Sequence, residues 1–138
     1  MSPLVQPALA MVGLTFVVWC YMYFKRLRFI RVHSIDPQSV ATRALGAKSL
    51  AEVAAPSDNL MNLFEMPVLF YFLIALLMLT NQASEGFVTA AWVYVALRVV
   101  HSFIHCTYNR VLQRFLVYAA SSLLLWGMWA AFVLKVLS

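Results

Sequence analysis

The chain has 138 residues, of which 64% are hydrophobic and only 11% are charged, with a formal net charge of +5. Soluble domains are about 45–50% apolar and about 25% charged, and a small fold exposes too much of its surface to hide more apolar side chains than that. The composition therefore excludes a soluble enzyme, a disordered chain and a disulfide-stapled secreted module, and it predicts a one-domain integral membrane protein without a nucleic-acid partner.

Four segments are long and apolar enough to cross a membrane as helices, which takes about 20 mostly apolar residues. They are residues 4–24, 60–80, 87–104 and 115–136. The first ends in a cluster of basic residues, so we interpret it as a retained helix rather than a signal peptide. Residues 81–86 form a short polar turn. The predicted fold class is an all-α membrane protein, a bundle of four transmembrane helices.

The positions of lysine and arginine predict the orientation of the bundle, because short cytoplasmic loops carry an excess of these residues. The loop of residues 25–59 is rich in them, and the turn after the third span carries Arg110 and Arg114, whereas residues 81–86 carry none. We therefore expect both termini to face away from the cytoplasm. Within the long loop, residues 39–54 are predicted to form a short amphipathic segment on the membrane surface.

Polar residues inside the spans need a partner or a function, because each charged group costs roughly 2.5–3.5 kcal/mol on insertion scales. At about 100° per residue, the polar residues of the third span share one helical face. They are Tyr94, Arg98, His101, Ser102, His105 and Asn109. A second-span face holds Asn59, Asn62 and Glu65, and a fourth-span face holds Arg114, Tyr118 and Ser121. Lipid cannot satisfy such groups, so we expect the three faces to converge on a cytoplasmic-side cavity.

Arginines outnumber carboxylates in this predicted cavity, because Arg98, Arg114 and Arg26 accompany a single acidic residue, Glu65. Guanidinium forks match carboxylates, and a nearby arginine stabilises a thiolate over its thiol. The residues favour a site that binds a small anion and activates a nucleophile. Two structural alternatives stay open: Arg98 and Glu65 form an ion pair that holds helices together, and the other arginines only mark the topology.

The two histidines of the third span allow a further alternative, a bundle that binds a metal ion or haem. Their i, i+4 spacing puts both rings on one face, and with Glu65 they could make a three-ligand zinc or iron site. Arg98 lies one turn away and repels a cation, and Cys20 and Cys106 have no CxxC partner. We therefore predict no metal site.

Two runs resemble signatures of the MAPEG family, the membrane-associated proteins in eicosanoid and glutathione metabolism. Residues 62–67, NLFEMP, resemble the N-x-x-E-x-P motif of its second helix. Residues 98–105, RVVHSFIH, followed by Asn109, Arg110 and Arg114, are similar to its other motif. The resemblance covers nearly the whole chain. It implies a homotrimer of four-helix subunits, with glutathione between neighbouring subunits near the cytoplasmic side.

The resemblance also implies the site residues. Arg114 is the candidate catalytic residue, because an arginine at the start of helix four helps to form the glutathione thiolate in the family. That thiolate attacks a small lipophilic electrophile or reduces a peroxide. The residues implied to bind glutathione are Arg26, Asn62, Glu65, Arg98, His101 and His105.

The chain departs from the glutathione-binding members at several positions. Those members carry arginines before the N-x-x-E motif, where this chain has Asp58 and Met61. Active members often place a tyrosine at the position of His105, and some place a hydroxyl residue at that of Phe115. The chain looks more like a bacterial branch, which implies an inner-membrane location. The departures motivate an alternative function, a non-catalytic membrane protein whose polar faces hold the trimer together or bind an anion or lipid.

Overall fold

The computed structural model describes residues 2–137, apart from the side chain of Arg43, and every regular element in this range is helical. The α-helices are α1 (Val5–Val32), α2 (Arg43–Ser49), α3 (Ala55–Leu63), α4 (Met66–Leu79), α5 (Glu85–Cys106) and α6 (Val111–Leu137). Two short 3₁₀ helices, Pro37–Val40 and Ala51–Val53, flank α2. The predicted all-α class is confirmed.

Four helical segments are long and apolar enough to span a membrane: α1, α3 together with α4, α5, and α6. Of the most apolar 18-residue stretch of each, 44% is buried in α5 but only 22% in α1 and in α6. The third span is therefore the central helix of the subunit. It packs against α6, α1 and α3, and its polar face is covered by protein rather than by lipid.

The second span is broken where α3 meets α4. Glu65 has φ −99° and ψ −101°, which is not a helical conformation. Pro67, two residues later, has no backbone N–H, and in a continuous helix its ring would collide with the carbonyl of Leu63. The break leaves the carbonyl of Asn62 outside a regular helical ladder; it accepts from the Glu65 N–H at a long 3.4 Å. This carbonyl becomes part of the site described below.

An apolar core fills the half of the subunit opposite the polar residues. Phe70 of α4 stacks on Tyr94 of α5, with ring centroids 4.6 Å apart, and Leu73, Leu77 and Leu125 are fully buried around them. The outer surfaces are equally apolar but exposed in the single chain. Helices that are hydrophobic on all sides are buried in a membrane or against other subunits.

The loop between α1 and α3 is ordered by local capping. α1 continues to Val32, so the basic run after the first span lies on this helix. The side chain of Asp36 accepts a hydrogen bond from the N–H of Gln38, and that of Thr42 accepts from Leu45 at the start of α2. α2 and its flanking 3₁₀ helices occupy the segment predicted as amphipathic.

Candidate functional site

The polar residues of α5 form a buried face, as their spacing predicts. Tyr94, Arg98, His101, Ser102 and His105 are each at most 3% exposed. α3 covers one side of this face and the first turns of α6 cover the other. We call these five residues and their partners on α3 and α6 the polar cluster.

Arg98 lies at the centre of the polar cluster and is fully buried. Its Nη2 donates a hydrogen bond to the carbonyl of Asn62, 3.1 Å away. Its guanidinium lies over the ring of Tyr118, 5.5 Å from the centroid, a distance suited to a cation–π interaction. Its Nε and Nη1 are buried and have no hydrogen-bond partner within residues 2–137. A buried cation with unpaired donors is costly, which is unexpected for a residue that only holds helices together.

Glu65 does not form the ion pair with Arg98 that the sequence suggested as a structural alternative. It is exposed in the single chain, whereas Arg98 is fully buried and donates to the carbonyl of Asn62. The physical reason is the break between α3 and α4. There the carbonyl of Asn62, rather than the Glu65 carboxylate, is turned toward the arginine.

The two histidines lie one helical turn apart, and His101 contacts the first turns of α6. The ring centroids of His101 and His105 are 5.6 Å apart, and that of Tyr118 is 5.7 Å from His101. His101 Nδ1 lies 3.2 Å from the carbonyl of Arg114. A carbonyl only accepts, so we assign the proton to Nδ1. His101 Nε2 and His105 Nδ1 are buried and unpaired within the described residues.

Residues 2–137 contain no group of three or more histidine, cysteine, aspartate or glutamate side chains placed to hold a metal ion. The third ligand considered from the sequence, Glu65, is exposed, whereas both histidines are buried. The structure therefore gives the metal interpretation no support.

Arg114 lies in the first turn of α6 and is partly buried. Its Nη1 donates to the side-chain oxygen of Asn109 over 2.7 Å, and its backbone carbonyl is the acceptor for His101. The charges of Arg114 and Arg98 both act on the ring of His105. Both arginines are therefore near enough to the histidines for their charges to act there, and this part of the subunit is cationic.

Asn59 illustrates the structural use of the same polar face. It is fully buried; its side-chain oxygen accepts from Ser102 Oγ at 3.3 Å, and its Nδ2 donates to Cys106 Sγ at 3.5 Å. These bonds join α3 to α5, as interhelical hydrogen bonds commonly do in membrane bundles. Part of the polar cluster is therefore helix-to-helix contact.

Arg26 lies apart from the other implied site residues. Its Nη2 donates to Ser57 Oγ, at the start of α3, over 2.9 Å. α1 and α6 do not form an extended contact, and the hydrogen bond of Arg26 goes to α3 rather than to α6. The structure thus brings together Asn62, Arg98, His101, His105 and Arg114, and it leaves Arg26 and Glu65 outside the polar cluster.

The partners of the two arginines include residues that the resemblance does not imply as ligands: Tyr118, which lies against Arg98, and Asn109, which holds Arg114. A signal for each was present in the sequence. Tyr118 shares a helical face with Arg114, four residues earlier, and Asn109 continues the polar face of α5.

Comparison with known proteins decides the family. A model of the MAPEG family matches residues 4–134, nearly the whole chain. The chain belongs to the MAPEG family. No curated protein and no solved structure gives a match. This membership confirms the family resemblance that residues 62–67 and 98–105 suggested. Together with the four apolar helices, it shows that this MAPEG protein is an integral, multi-pass membrane protein. The family includes both glutathione-dependent transferases or peroxidases and non-catalytic members.

Proposed function

We propose that this MAPEG protein is a glutathione-dependent transferase or peroxidase that acts on lipophilic electrophiles or hydroperoxides. The observation that carries the proposal is the Arg114 guanidinium, held at the first turn of α6 beside the buried cationic face of α5. A guanidinium in that position is suited to stabilising a thiolate, since the anion is the form of a thiol that a nearby arginine favours.

The charges around the polar cluster suit the ligand. Glutathione has two carboxylates, an ammonium group and a thiol. Within residues 2–137, Arg98 has two nitrogens without a hydrogen-bond partner, Nε and Nη1, which could bind a carboxylate as charge-assisted donors. Glu65, exposed near the break in the second span, could bind the ammonium group.

The proposed reaction requires the protein only to bind glutathione and to stabilise its thiolate. Glutathione supplies the nucleophilic thiol, and Arg114 holds the sulfur as thiolate. In the transferase reaction a carbon–sulfur bond forms, the leaving group departs and the thiol proton passes to water. In the peroxidase reaction the O–O bond is cleaved to an alcohol and water while two thiols become a disulfide. The apolar helices around the site would admit a substrate from the bilayer, and the basic residues at the end of α1 and the start of α6 favour a site at the cytoplasmic face.

We further propose that the protein is a homotrimer and that a neighbouring subunit completes the site. Within one chain Arg26 binds Ser57 of α3 rather than a residue of α6, so a second copy could bring its own Arg26 to this Arg114. The mass of the purified protein without its detergent, measured by light scattering, should be three times the 15.6 kDa of one chain. A monomeric mass for folded protein would contradict this assembly.

Glutathione binding tests the proposed function directly. The detergent-purified protein should unfold at a higher temperature with glutathione, because a ligand at about 100 times its Kd stabilises the folded state by roughly 2.7 kcal/mol. The matched ligand is the same tripeptide with serine in place of cysteine, which should stabilise less because it cannot form a thiolate. Absence of both a thermal shift and conjugation of chlorodinitrobenzene would contradict the proposal.

The second candidate function, a non-catalytic MAPEG protein, is favoured by one observation. Part of the polar face forms interhelical hydrogen bonds, as Asn59 does with Ser102 and Cys106. A glutathione-induced thermal shift without turnover of any electrophile or hydroperoxide would favour this candidate over the enzyme.

A further inference from the structure

The turn between α5 and α6 holds Asn109 in a fixed position. α5 ends at Cys106 and α6 begins at Val111. Asn109 has φ 47°, in the left-handed region that asparagine tolerates better than most residues with a side chain. Its backbone N–H donates to the carbonyl of Ile104, 2.8 Å away. The backbone of Asn109 is therefore tied to the last turn of α5.

The side chain of Asn109 is directed at Arg114. Its Oδ1 accepts a hydrogen bond from Arg114 Nη1 at 2.7 Å, which is short, as expected when the donor is charged. His101 binds the other end of the same residue, at its backbone carbonyl. Arg114 is thus held at its main chain by α5 and at its guanidinium by the turn.

We infer that Asn109 is a positioning residue for Arg114, and this inference rests on the function proposed above. A free arginine side chain samples many rotamers and loses that freedom when it binds a ligand. Asn109 fixes the guanidinium beforehand through one nitrogen and leaves its other N–H groups available. Because the amide is neutral, it orders Arg114 without cancelling its charge. Ligand binding therefore depends both on the amide acceptor and on its lack of charge.

Two substitutions separate these properties. Asn109→Gly removes the amide but keeps a residue that adopts the left-handed conformation at no steric cost. Asn109→Asp keeps an acceptor at the same place but adds a carboxylate that would pair with the guanidinium. The matched control is Thr107→Ala in the same turn; the Thr107 hydroxyl bonds the carbonyl of Phe103 and not Arg114.

The experiment uses the full-length protein in detergent, with glutathione binding measured by calorimetry and thiolate formation followed by ultraviolet absorbance as a function of pH. Asn109→Gly should weaken glutathione binding roughly tenfold, the expected effect of one freed arginine side chain, and should move thiolate formation to higher pH. Asn109→Asp should weaken binding still more, and Thr107→Ala should leave both measurements unchanged. A purely structural role predicts the reverse order, with aspartate close to the wild type.

A ligand-free measurement keeps the inference separate from the proposed function. In protein labelled with ¹⁵N-arginine, the guanidinium signals of Arg114 are identified by their loss in Arg114→Ala. They should show restricted rotation in the wild type and averaging in Asn109→Gly. Identical signals in these two proteins would overturn the inference, whether or not glutathione binds. Loss of glutathione binding in Arg114→Ala but not in Asn109→Gly would also overturn it and would leave the proposed function intact.

Discussion

Replacement of Arg114 by alanine is expected to lower kcat/KM for glutathione conjugation about 100-fold while leaving the protein folded. The guanidinium is partly buried at the first turn of α6, so its removal empties no core position. Loss of one preorganised donor to a developing or bound anion typically costs roughly 100-fold to 1,000-fold in rate. Steady-state kinetics with chlorodinitrobenzene, together with a thermal melt of the same preparation, measure both quantities.

A control in the same turn shows whether the position of the charge matters. Arg110 is exposed and is no member of the polar cluster, so Arg110→Ala removes the same formal charge but should lower kcat/KM less than threefold. Arg114→Lys keeps the charge but loses the guanidinium fork, and we expect an intermediate rate. Equal losses in Arg110→Ala and Arg114→Ala would mean that only the general positive field acts, and Arg114 would lose its assigned role.

The helical framework could be predicted because it depends on the periodicity and length of apolar runs. The buried face of α5 was predicted because Arg98, His101 and His105 repeat at helical spacing and lipid offers them no partner. The break at Glu65 is not predicted, because the sequence predicts one continuous span over residues 60–80. The local signal of the break is Pro67, which has no backbone N–H to donate to a helical hydrogen bond.

The partners of the charged residues could be predicted less well than their faces. The sequence suggested a carboxylate for Arg98, but the break in the second span supplies a backbone carbonyl instead. Because every residue has a backbone carbonyl, the residue types do not indicate such a partner. Arg26 was expected at the ligand, whereas within one chain it binds Ser57. In an oligomer, residues that make no contact within one chain can meet across a subunit interface. The spacing of residues along one chain does not predict such contacts.

Replacement of Arg98 by methionine is expected to separate function from stability. Arg98 is fully buried with only one of its three guanidinium nitrogens hydrogen-bonded within the described residues. A buried charge with unpaired donors is costly, and an apolar side chain of similar length removes that cost. The carbonyl of Asn62 keeps the Glu65 N–H as a donor, so the loss is that of one hydrogen bond to a charged group, about 1.5–3 kcal/mol. These effects oppose each other, so the melting temperature should change by less than about 5 °C.

Glutathione binding by Arg98→Met should nevertheless fall roughly 10-fold to 100-fold, because charge-assisted hydrogen bonds contribute about 1.5–3 kcal/mol each. Ser102→Ala is the matched control one turn along α5; it breaks the interhelical bond to Asn59 and should lower the melting temperature without changing the affinity. If Arg98→Met unfolds while Ser102→Ala does not, the arginine is a structural support of the bundle. If it melts normally and binds glutathione like the wild type, the cationic face of α5 has no part in the site. Only stability combined with lost affinity fits an arginine kept buried for its ligand.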